Sequence, residues 1–339
     1  MSPATWPRDD SLSERLLVID ASTGAVHDHE VRHLTRELQA GDLVVVNDAA
    51  TLPASLSGSV RGAAIELRLL ALVDGLTWHA VLFGAGDWHT RTEHRAAPPP
   101  VDVGDVLVFG DLGCSVVFVS PLSARLITVR FDVDDEDALW SALYRIGRPV
   151  QYAHLDRDLE LWHTQTPYAA RPWAVELPSA GRPLRWPLLQ ALRDQGVDVV
   201  TLTHAAGLSA TGDDVIDAAL PLPERYDLPQ ATVEAIARTR ARGGRVIAVG
   251  TTVVRALEGC AREHGDLVAG TGVTDLKIGP HFRSVVVDAL FTGMHELSSS
   301  HFQLLHAFAP APLLQRAYAH ARARGFTEHE FGDSCLIFA

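Results

Sequence analysis

Short apolar runs and polar connections alternate at the start of the chain. The run Arg15–Asp20 predicts a strand, and Thr23-Gly24 predicts a turn after it. A polar stretch then extends to Ala40-Gly41, where we expect a short helix. Leu43–Val46 is continuously apolar, which is typical of a strand covered on both faces. The opening segment therefore predicts strand, turn, short helix and buried strand.

Between about residue 57 and residue 133 the pattern changes to closely spaced short apolar runs. Turn signals such as Asp74-Gly75 and Gly84-Ala-Gly86 separate them. Short strands with no helical pattern between them indicate a small antiparallel barrel or sandwich. The predicted strands are Ile65–Leu72, Thr77–Leu82, Val106–Phe109, Ser115–Val119 and Arg125–Phe131.

Helical patterns return after Asp134 and alternate with strands. Asp135–Ile146, Pro187–Gln195 and Pro229–Arg242 predict helices, and the last two have proline near the start and glycine past the end. Arg245–Val249 follows as a predicted buried strand. Alternation of helix and strand is typical of an α/β domain.

Together these patterns predict an α/β (mixed) fold with an inserted antiparallel β-barrel-like domain. Residues 1–56 and 134–339 are expected to form a discontinuous α/β catalytic domain. Residues 57–133 are expected to form the inserted barrel. Ligand pockets are common at domain junctions, so we expect the pocket between the two.

Composition narrows the class of protein. The chain has 339 residues, of which 47% are apolar, and this is enough to bury a full core. No apolar stretch approaches the ~20 residues of a membrane-spanning helix, and the polar start lacks the layout of a signal peptide. Three widely separated cysteines fit reduced thiols. We therefore expect a cytoplasmic monomer with no membrane partner.

Charge and histidine content add two expectations. The formal net charge is −13, so contact with nucleic acid requires a local basic patch. Among the sixteen histidines, the pairs His27/His29, His89/His94 and His295/His301 fit no standard zinc spacing. We expect no metal.

The strongest local signal is the segment Gly243–Glu258. A buried strand runs into Gly250-Thr251-Thr252, where a helix begins, so Thr251 or Thr252 is expected to cap it. A helix start of this kind attracts a carboxylate or phosphate. Arg255, one turn further on, is placed to pair with a carboxylate ligand. From the residues alone, a capped helix whose arginine pairs with a neighbouring acid explains the segment equally well.

The same segment resembles a family motif, Gly-Arg-hydrophobic-Ala-hydrophobic-Gly-Thr-Thr-x-hydrophobic-Arg. Further elements follow the family order: Gly41–Asp48, Thr274-Asp275-Leu276, Val286–Leu290 and Phe331–Ile337. The chain resembles a diverged member of the S-adenosylmethionine:tRNA ribosyltransferase-isomerase family of queuosine biosynthesis. The likeness spans most of the chain.

This resemblance implies a reaction, a donor and an acceptor. The ribosyl group of S-adenosylmethionine is transferred to 7-aminomethyl-7-deazaguanine in the tRNA anticodon and isomerised, giving epoxyqueuosine with release of adenine and methionine. S-adenosylmethionine acts as co-substrate, and the resemblance implies no metal. The tRNA anticodon stem-loop is the expected macromolecular partner.

Several positions depart from the family pattern. Pro183 stands where the family motif has histidine, and Ala50 and Ser55 stand where it has arginine. Two alternatives therefore stay open. The chain is a paralogue that uses S-adenosylmethionine on a small-molecule acceptor, or it is a catalytically inactive tRNA-binding or regulatory protein.

Four side chains are candidate catalytic groups. His204 follows the apolar run Val197–Leu202, where α/β proteins place ligand groups, and is the first choice of general base. His295 follows the predicted strand Val285–Leu290 as a partner or proton shuttle. Glu224 is a candidate acid, and Glu176 a candidate replacement for the missing histidine. His204 and His295 are also explained as loop contacts, and Glu224 as part of a local ion pair.

The candidate donor-binding residues are the helix start with its arginine and three acidic residues. An aspartate inside an apolar strand needs a partner, so Asp288 is also explained by a structural role. The full set is Gly250, Thr251, Thr252, Arg255, Asp275, Asp288 and Asp333.

Overall fold

A nine-stranded mixed sheet and a closed six-stranded barrel form the framework of the protein. The computed structural model describes residues 1–297 and 299–339. The strands are β1 (Ser2–Pro3), β2 (Arg15–Asp20), β3 (Ala25–Glu30), β4 (Leu43–Asn47), β5 (Ala49–Thr51), β6 (Ser55–Val60), β7 (Ala63–Asp74), β8 (Thr77–Phe83), β9 (Val106–Phe109), β10 (Leu112–Val119), β11 (Leu126–Phe131), β12 (Arg171–Ala174), β13 (Asp198–His204), β14 (Glu224–Leu228), β15 (Val246–Val249), β16 (Gly270–Thr274), β17 (Ala289–Gly293), β18 (Thr327–Glu328) and β19 (Ser334–Phe338).

Helices cover both faces of the large sheet. The α-helices are α1 (Glu136–Ile146), α2 (Leu161–Thr164), α3 (Trp186–Asp194), α4 (Asp214–Ala219), α5 (Gln230–Ala241), α6 (Thr251–His264), α7 (Ser300–Leu305) and α8 (Ala311–Ala323), and four 3-10 turns lie at Ser11–Ser13, Val31–Arg36, Thr92–His94 and Ser179–Gly181. None of the described helices has both the length and the apolar character needed to cross a membrane.

Strand β4 lies at the centre of the sheet, whose order is β16-β14-β13-β4-β15-β17-β19-β2-β3. Its neighbours β13 and β15 both run parallel to it, and Val45 faces Val200 on one side and Ala248 on the other. All of β4 is buried because apolar layers cover both faces, as its unbroken apolar run predicted.

The barrel is built from β6 to β11 in the order β10-β11-β8-β7-β6-β9. Its first strand, Ser55–Val60, begins just before residue 57, so the expected domain boundary falls inside that strand. Helix α1 packs Leu139 and Leu143 into the barrel core, which joins this helix to the barrel rather than to the large sheet.

Between Thr23-Gly24 and Leu43 the expected short helix is a 3-10 helix, and a strand that was not predicted precedes it. Residues Ala25–Glu30 form β3, which pairs antiparallel with β2, and a 3-10 turn follows at Val31–Arg36. Strand β3 is the outermost strand of the sheet and is partly exposed, so it carries polar side chains and lacks an apolar run.

The strand predicted at Val285–Leu290 is displaced: β17 begins at Ala289. Glu258 explains the shift, because its carboxylate accepts the backbone N–H groups of Val285, Val286 and Val287 at 2.9–3.0 Å. These amides therefore need no strand partner. The three predicted helices are confirmed to within a residue or two at each end, as α1, α3 and α5.

Candidate active site

The parallel strands β13, β4, β15 and β17 end at the same edge of the sheet. Asn47 and His204 are the last residues of two of these strands, and Gly250 directly follows a third. Ligand groups of α/β proteins lie at the carboxyl ends of parallel strands, so this edge is the candidate site.

Asn47 fixes the position of His204. The Asn47 amide nitrogen Nδ2 donates to the His204 carbonyl at 3.0 Å, and the His204 backbone N–H donates to Asn47 Oδ1 at 2.9 Å. The His204 side chain is fully buried, and neither ring nitrogen has a hydrogen-bond partner among residues 1–297 and 299–339. Burial, and then the charge of Arg255, hold the pKa of His204 well below its usual range. The ring is therefore neutral.

Glu224 and Arg255 form a buried ion pair next to this ring. Arg255 Nη1 lies 2.6 Å from Glu224 Oε2, and His204 Nε2 lies 3.4 Å from the same oxygen. The other Glu224 oxygen accepts the Gly207 N–H at 2.7 Å. Burial raises the pKa of Glu224, and the charge of Arg255 opposes that shift. The structure thus brings together three of the candidate residues.

Arg255 also retains unused hydrogen-bonding capacity. Its Nε donates to the Leu276 carbonyl at 3.2 Å, whereas Nη2 is buried and has no partner in the described part of the chain. Of the two explanations that the sequence left open, the structure shows the internal pair with an acid. It also leaves one guanidinium nitrogen available to a ligand.

The expected threonine cap of helix α6 is wrong. Gly250 is the N-cap residue, at φ +89°, and no side chain caps the helix. The positive φ suits glycine and turns the chain sharply from β15 into the helix. The Thr252 hydroxyl instead accepts a hydrogen bond from Asn47 at 3.4 Å. Because no side chain of the described residues hydrogen-bonds to the first turn of α6, its N–H groups at Thr251 and Thr252 are candidate donors to an anion.

Glu176 lies across the loop that follows His204. Its Oε1 accepts the Ser209 N–H at 2.8 Å, the Ser209 hydroxyl at 3.0 Å, and the Tyr152 hydroxyl. Burial, with a smaller contribution from the Glu330 carboxylate, raises the pKa of Glu176 to about 7 against the opposing hydrogen bonds. One loop thus donates an amide to each of two candidate acids, Gly207 N–H to Glu224 and Ser209 N–H to Glu176.

Histidines line the β17 side of the site. His295 lies two residues past the end of β17, its Nε2 is 2.9 Å from the Thr292 hydroxyl, and its ring stacks on His301 with centroids 5.1 Å apart. Burial lowers the pKa of both rings, and the charge of Arg255 lowers that of His301 further. His301 therefore stacks on His295 and is also close enough to Arg255 to be affected by its positive charge.

The barrel contributes to the same region. The Arg68 guanidinium lies 5.8 Å from the centre of the Tyr152 ring, and Tyr152 donates to Glu176. Arg68 is buried and paired with Glu66 at 2.6 Å. The part of the candidate site that contains Glu176 therefore lies where the barrel meets the rest of the chain.

The three aspartates lie in different places. Asp275 is exposed and lines a cavity of about 610 Å³, next to Leu276, whose carbonyl binds Arg255. Asp333 is buried, and its carboxylate is already occupied by Arg8 at 2.6 Å, the Arg15 N–H at 2.8 Å and the Thr327 N–H at 2.8 Å. That set leaves Asp333 with a structural role.

Asp288 is a clear correction. It is exposed and directly precedes β17, so it lies at the opposite edge of the sheet from Gly250, which follows the parallel strand β15. Its carboxylate accepts the Val246 N–H at 2.8 Å. The sequence pattern failed here because the apolar run around Asp288 predicted a buried strand position.

The stretch with the missing histidine borders the helix start. Ser179–Gly181 forms a 3-10 turn that lies against Gly250. If Gly250 carried a side chain, its Cβ would lie 3.6 Å from the Cβ of Ala180. Pro183 is buried two residues further on. The segment in which this chain lacks an imidazole thus borders the start of α6 through Ala180.

Several contributors escaped the sequence analysis. Asn47 was detectable, because a polar residue directly follows a buried strand. Tyr152, His301 and Arg68 carry no local signal, since only the packing of distant segments brings them to the site.

Comparison with known proteins places this arrangement in a family. Residues 2–337 match the family model described as queuosine biosynthesis protein. The chain belongs to this family. The resemblance seen in the motifs is therefore confirmed across the chain.

Relatives and a solved structure agree with this assignment. The S-adenosylmethionine:tRNA ribosyltransferase-isomerase of Trichlorobacter lovleyi is 33% identical, over 98% of this chain and 95% of that protein. The enzyme of the same name from Sorangium cellulosum is 36% identical, over 98% and 94%. The crystal structure of an S-adenosylmethionine tRNA ribosyltransferase from Thermotoga maritima matches with a TM-score of 0.55 and 26% identity, covering 99% of this chain and 96% of that one. The expected fold class, mixed α/β with a β-barrel, is confirmed.

Proposed function

We propose that this protein transfers the ribosyl group of S-adenosylmethionine to 7-aminomethyl-7-deazaguanine in tRNA and isomerises it. The products are epoxyqueuosine, adenine and methionine. The observation that carries the proposal is the buried cluster of His204, Glu224 and Arg255, which has polar atoms without partners among residues 1–297 and 299–339 and includes a residue one turn inside α6. The similarity to two proteins named S-adenosylmethionine:tRNA ribosyltransferase-isomerase supports the same reaction.

Arg255 and the first turn of α6 hold the methionyl carboxylate in this proposal. A carboxylate there receives a charge-assisted hydrogen bond from Arg255 Nη2 and hydrogen bonds from the N–H groups of Thr251 and Thr252, whereas the Gly250 N–H is taken by the Phe291 carbonyl at 2.8 Å. Glu224 keeps the guanidinium in place through its 2.6 Å contact. Asp275, on the far side of Leu276, is available to the donor's ammonium group.

Glu176 carries the acid–base work. The sulfonium of the donor acidifies the adjacent 5′ carbon, so a base with a pKa near neutrality is suited to removing that proton. Glu176 has such a pKa, about 7, because it is buried. Burial lowers the pKa of His204 and of His295, so both rings are neutral and are weaker bases than Glu176.

The changed positions favour a second candidate function. Pro183 replaces an imidazole of the family pattern, and Ala50 and Ser55 replace two of its cationic side chains. Loss of cationic groups from a chain of net charge −13 weakens phosphate binding. A small-molecule acceptor for the same donor is therefore the second candidate.

One experiment separates these functions. Purified protein is incubated with S-adenosylmethionine, with and without tRNA that carries the precursor base, and adenine and methionine are quantified. We expect release that depends on the tRNA and falls steeply with added salt. Release without tRNA supports the small-molecule acceptor. Absence of both release and donor binding contradicts both functions and leaves the inactive tRNA-binding alternative.

A further inference from the structure

A second group of histidines lies on the outermost strand of the sheet, β3. His27 and His29 are two residues apart, so both side chains point to the same face of the strand. Glu37, just after the 3-10 turn Val31–Arg36, faces them. His27 Nε2 lies 3.2 Å and His29 Nε2 lies 2.8 Å from the same oxygen, Glu37 Oε1. Two rings therefore converge on one carboxylate.

The proton position on His29 follows from its other contact. His29 Nδ1 lies 2.9 Å from the Glu30 carbonyl oxygen, which has no proton to give. Nδ1 must therefore carry the hydrogen, and in a neutral ring Nε2 then presents a lone pair to the Glu37 carboxylate. The Nε2 lone pair and the Glu37 carboxylate, 2.8 Å apart, are both ligand groups for a cation. A ring N–H bound to a backbone carbonyl, with the other nitrogen free, is also how metal-ligating histidines are oriented.

The distances suit a shared metal ion. Ligand atoms at about 2.0–2.1 Å from zinc in tetrahedral geometry lie about 3.4 Å apart. The observed separations of 3.2 and 2.8 Å reach that value with shifts of a few tenths of an ångström. All three ligand atoms lie within 4.8 Å of one another, and the ring centroids of His27 and His29 are 5.9 Å apart.

The cavity beside the group has room for an ion. His27 and Glu37 line this cavity of about 480 Å³, whose charged lining also includes Asp20, Asp288, Arg36 and Arg245. Arg245, which borders the cavity, is engaged by Asp42 at 2.5 Å and donates to the Glu37 carbonyl at 3.1 Å. This second contact fixes the backbone that carries the carboxylate, and the cavity leaves room for water as a fourth ligand.

We propose that His27, His29 and Glu37 form a binding site for Zn²⁺ or a similar divalent transition metal. The site is separate from the cluster of His204, Glu224 and Arg255. It joins β3 to the segment after the 3-10 turn, so the bound ion stabilises the outer edge of the sheet. No zinc spacing was visible in the sequence because Glu37 reaches the strand only through the intervening turn.

Zinc binding by the untagged, full-length protein tests the proposal. Protein stripped with a chelator is titrated calorimetrically with ZnCl₂, and Co²⁺ is added in parallel to report coordination by its visible spectrum. We expect about one equivalent of metal per chain and a higher Tm with zinc. His29→Asn and Glu37→Gln should each weaken zinc binding by at least about tenfold and abolish the rise in Tm.

The control is a second cluster, since ligand atoms of His154, His329 and Glu330 also lie within 4.8 Å of one another. His329→Asn should leave the affinity for zinc unchanged. Loss of zinc binding in His329→Asn with retention in Glu37→Gln overturns the proposal. A wild-type protein that binds no zinc also overturns it. Glu37→Gln preserves side-chain size and serves as the test if His29→Asn does not fold.

Discussion

Arg255 Nη1 lies 2.6 Å from Glu224 Oε2, and the two side chains are only 11% and 10% exposed. The pair joins helix α6 to strand β14, which are far apart in sequence. Glu224 thus neutralises the arginine and fixes its orientation. The pair occupies Arg255 Nη1, and Nε donates to the Leu276 carbonyl. Nη2 is therefore the guanidinium nitrogen that has no partner among the described residues.

Removing the arginine should destabilise the protein through the carboxylate left behind. Arg255→Met is expected to lower the free energy of unfolding by about 3–5 kcal/mol at pH 8, because Glu224 then becomes an uncompensated buried charge. Urea denaturation measures the loss. The double variant Arg255→Met/Glu224→Gln should recover part of it, and equal losses in the single and double variants would count against a coupled pair.

Glu176 should make stability depend on pH. Its pKa is about 7 in the folded protein, above its usual 4.5, so the folded state binds more protons between these values. Stability therefore falls as pH rises from about 4.5 to 7. Urea denaturation between pH 5 and 8 should show wild type losing stability relative to Glu176→Gln. Parallel curves for the two proteins would refute the raised pKa.

Tyr152→Phe should shift the pH dependence of the reaction. The Tyr152 hydroxyl donates to Glu176 and lowers the pKa of that carboxyl, so removing it raises the pKa further. If Glu176 acts as base, the rising limb of adenine release against pH moves to higher pH in Tyr152→Phe and disappears in Glu176→Gln. An unchanged pH profile in both variants would show that Glu176 does not act as the base.

Asn47→Ala should disturb both stability and the site. Asn47 satisfies the buried N–H and carbonyl of His204. Leaving such groups without partners costs about 1–3 kcal/mol, measurable by urea denaturation. Asn47→Asp turns a carboxylate oxygen toward the His204 carbonyl at a buried position, so it should lose at least as much stability as Asn47→Ala. A neutral effect of Asn47→Ala would show that water replaces the amide.

Asp288→Ala should leave donor binding intact. Asp288 lies at the opposite edge of the sheet, where its carboxylate accepts the Val246 N–H. We expect an unchanged Kd for S-adenosylmethionine by calorimetry and a loss of about 1 kcal/mol in unfolding free energy. Weaker donor binding in this variant would contradict our proposal, because it would mean that the donor binds at the edge of the sheet where Asp288 lies.

Much of the fold follows from local pattern. The unbroken apolar run of β4 and the proline and glycine signals around α3 and α5 each lie within one short segment. Errors arose where a distant group intervened. Strand β3 was missed because it lies at the sheet edge, and β17 was misplaced because Glu258 binds three amides before it.

The sequence alone determined that Gly250 turns a buried strand into a helix and that Arg255 lies one turn inside it, because both depend on neighbouring residues. Tertiary structure decided what those groups meet. The register of the sheet sends Asp288 to the far edge, and loop packing brings Glu176 to Tyr152 and Ser209. Local patterns fix where a side chain projects from its own element, whereas its partners depend on how distant elements pack.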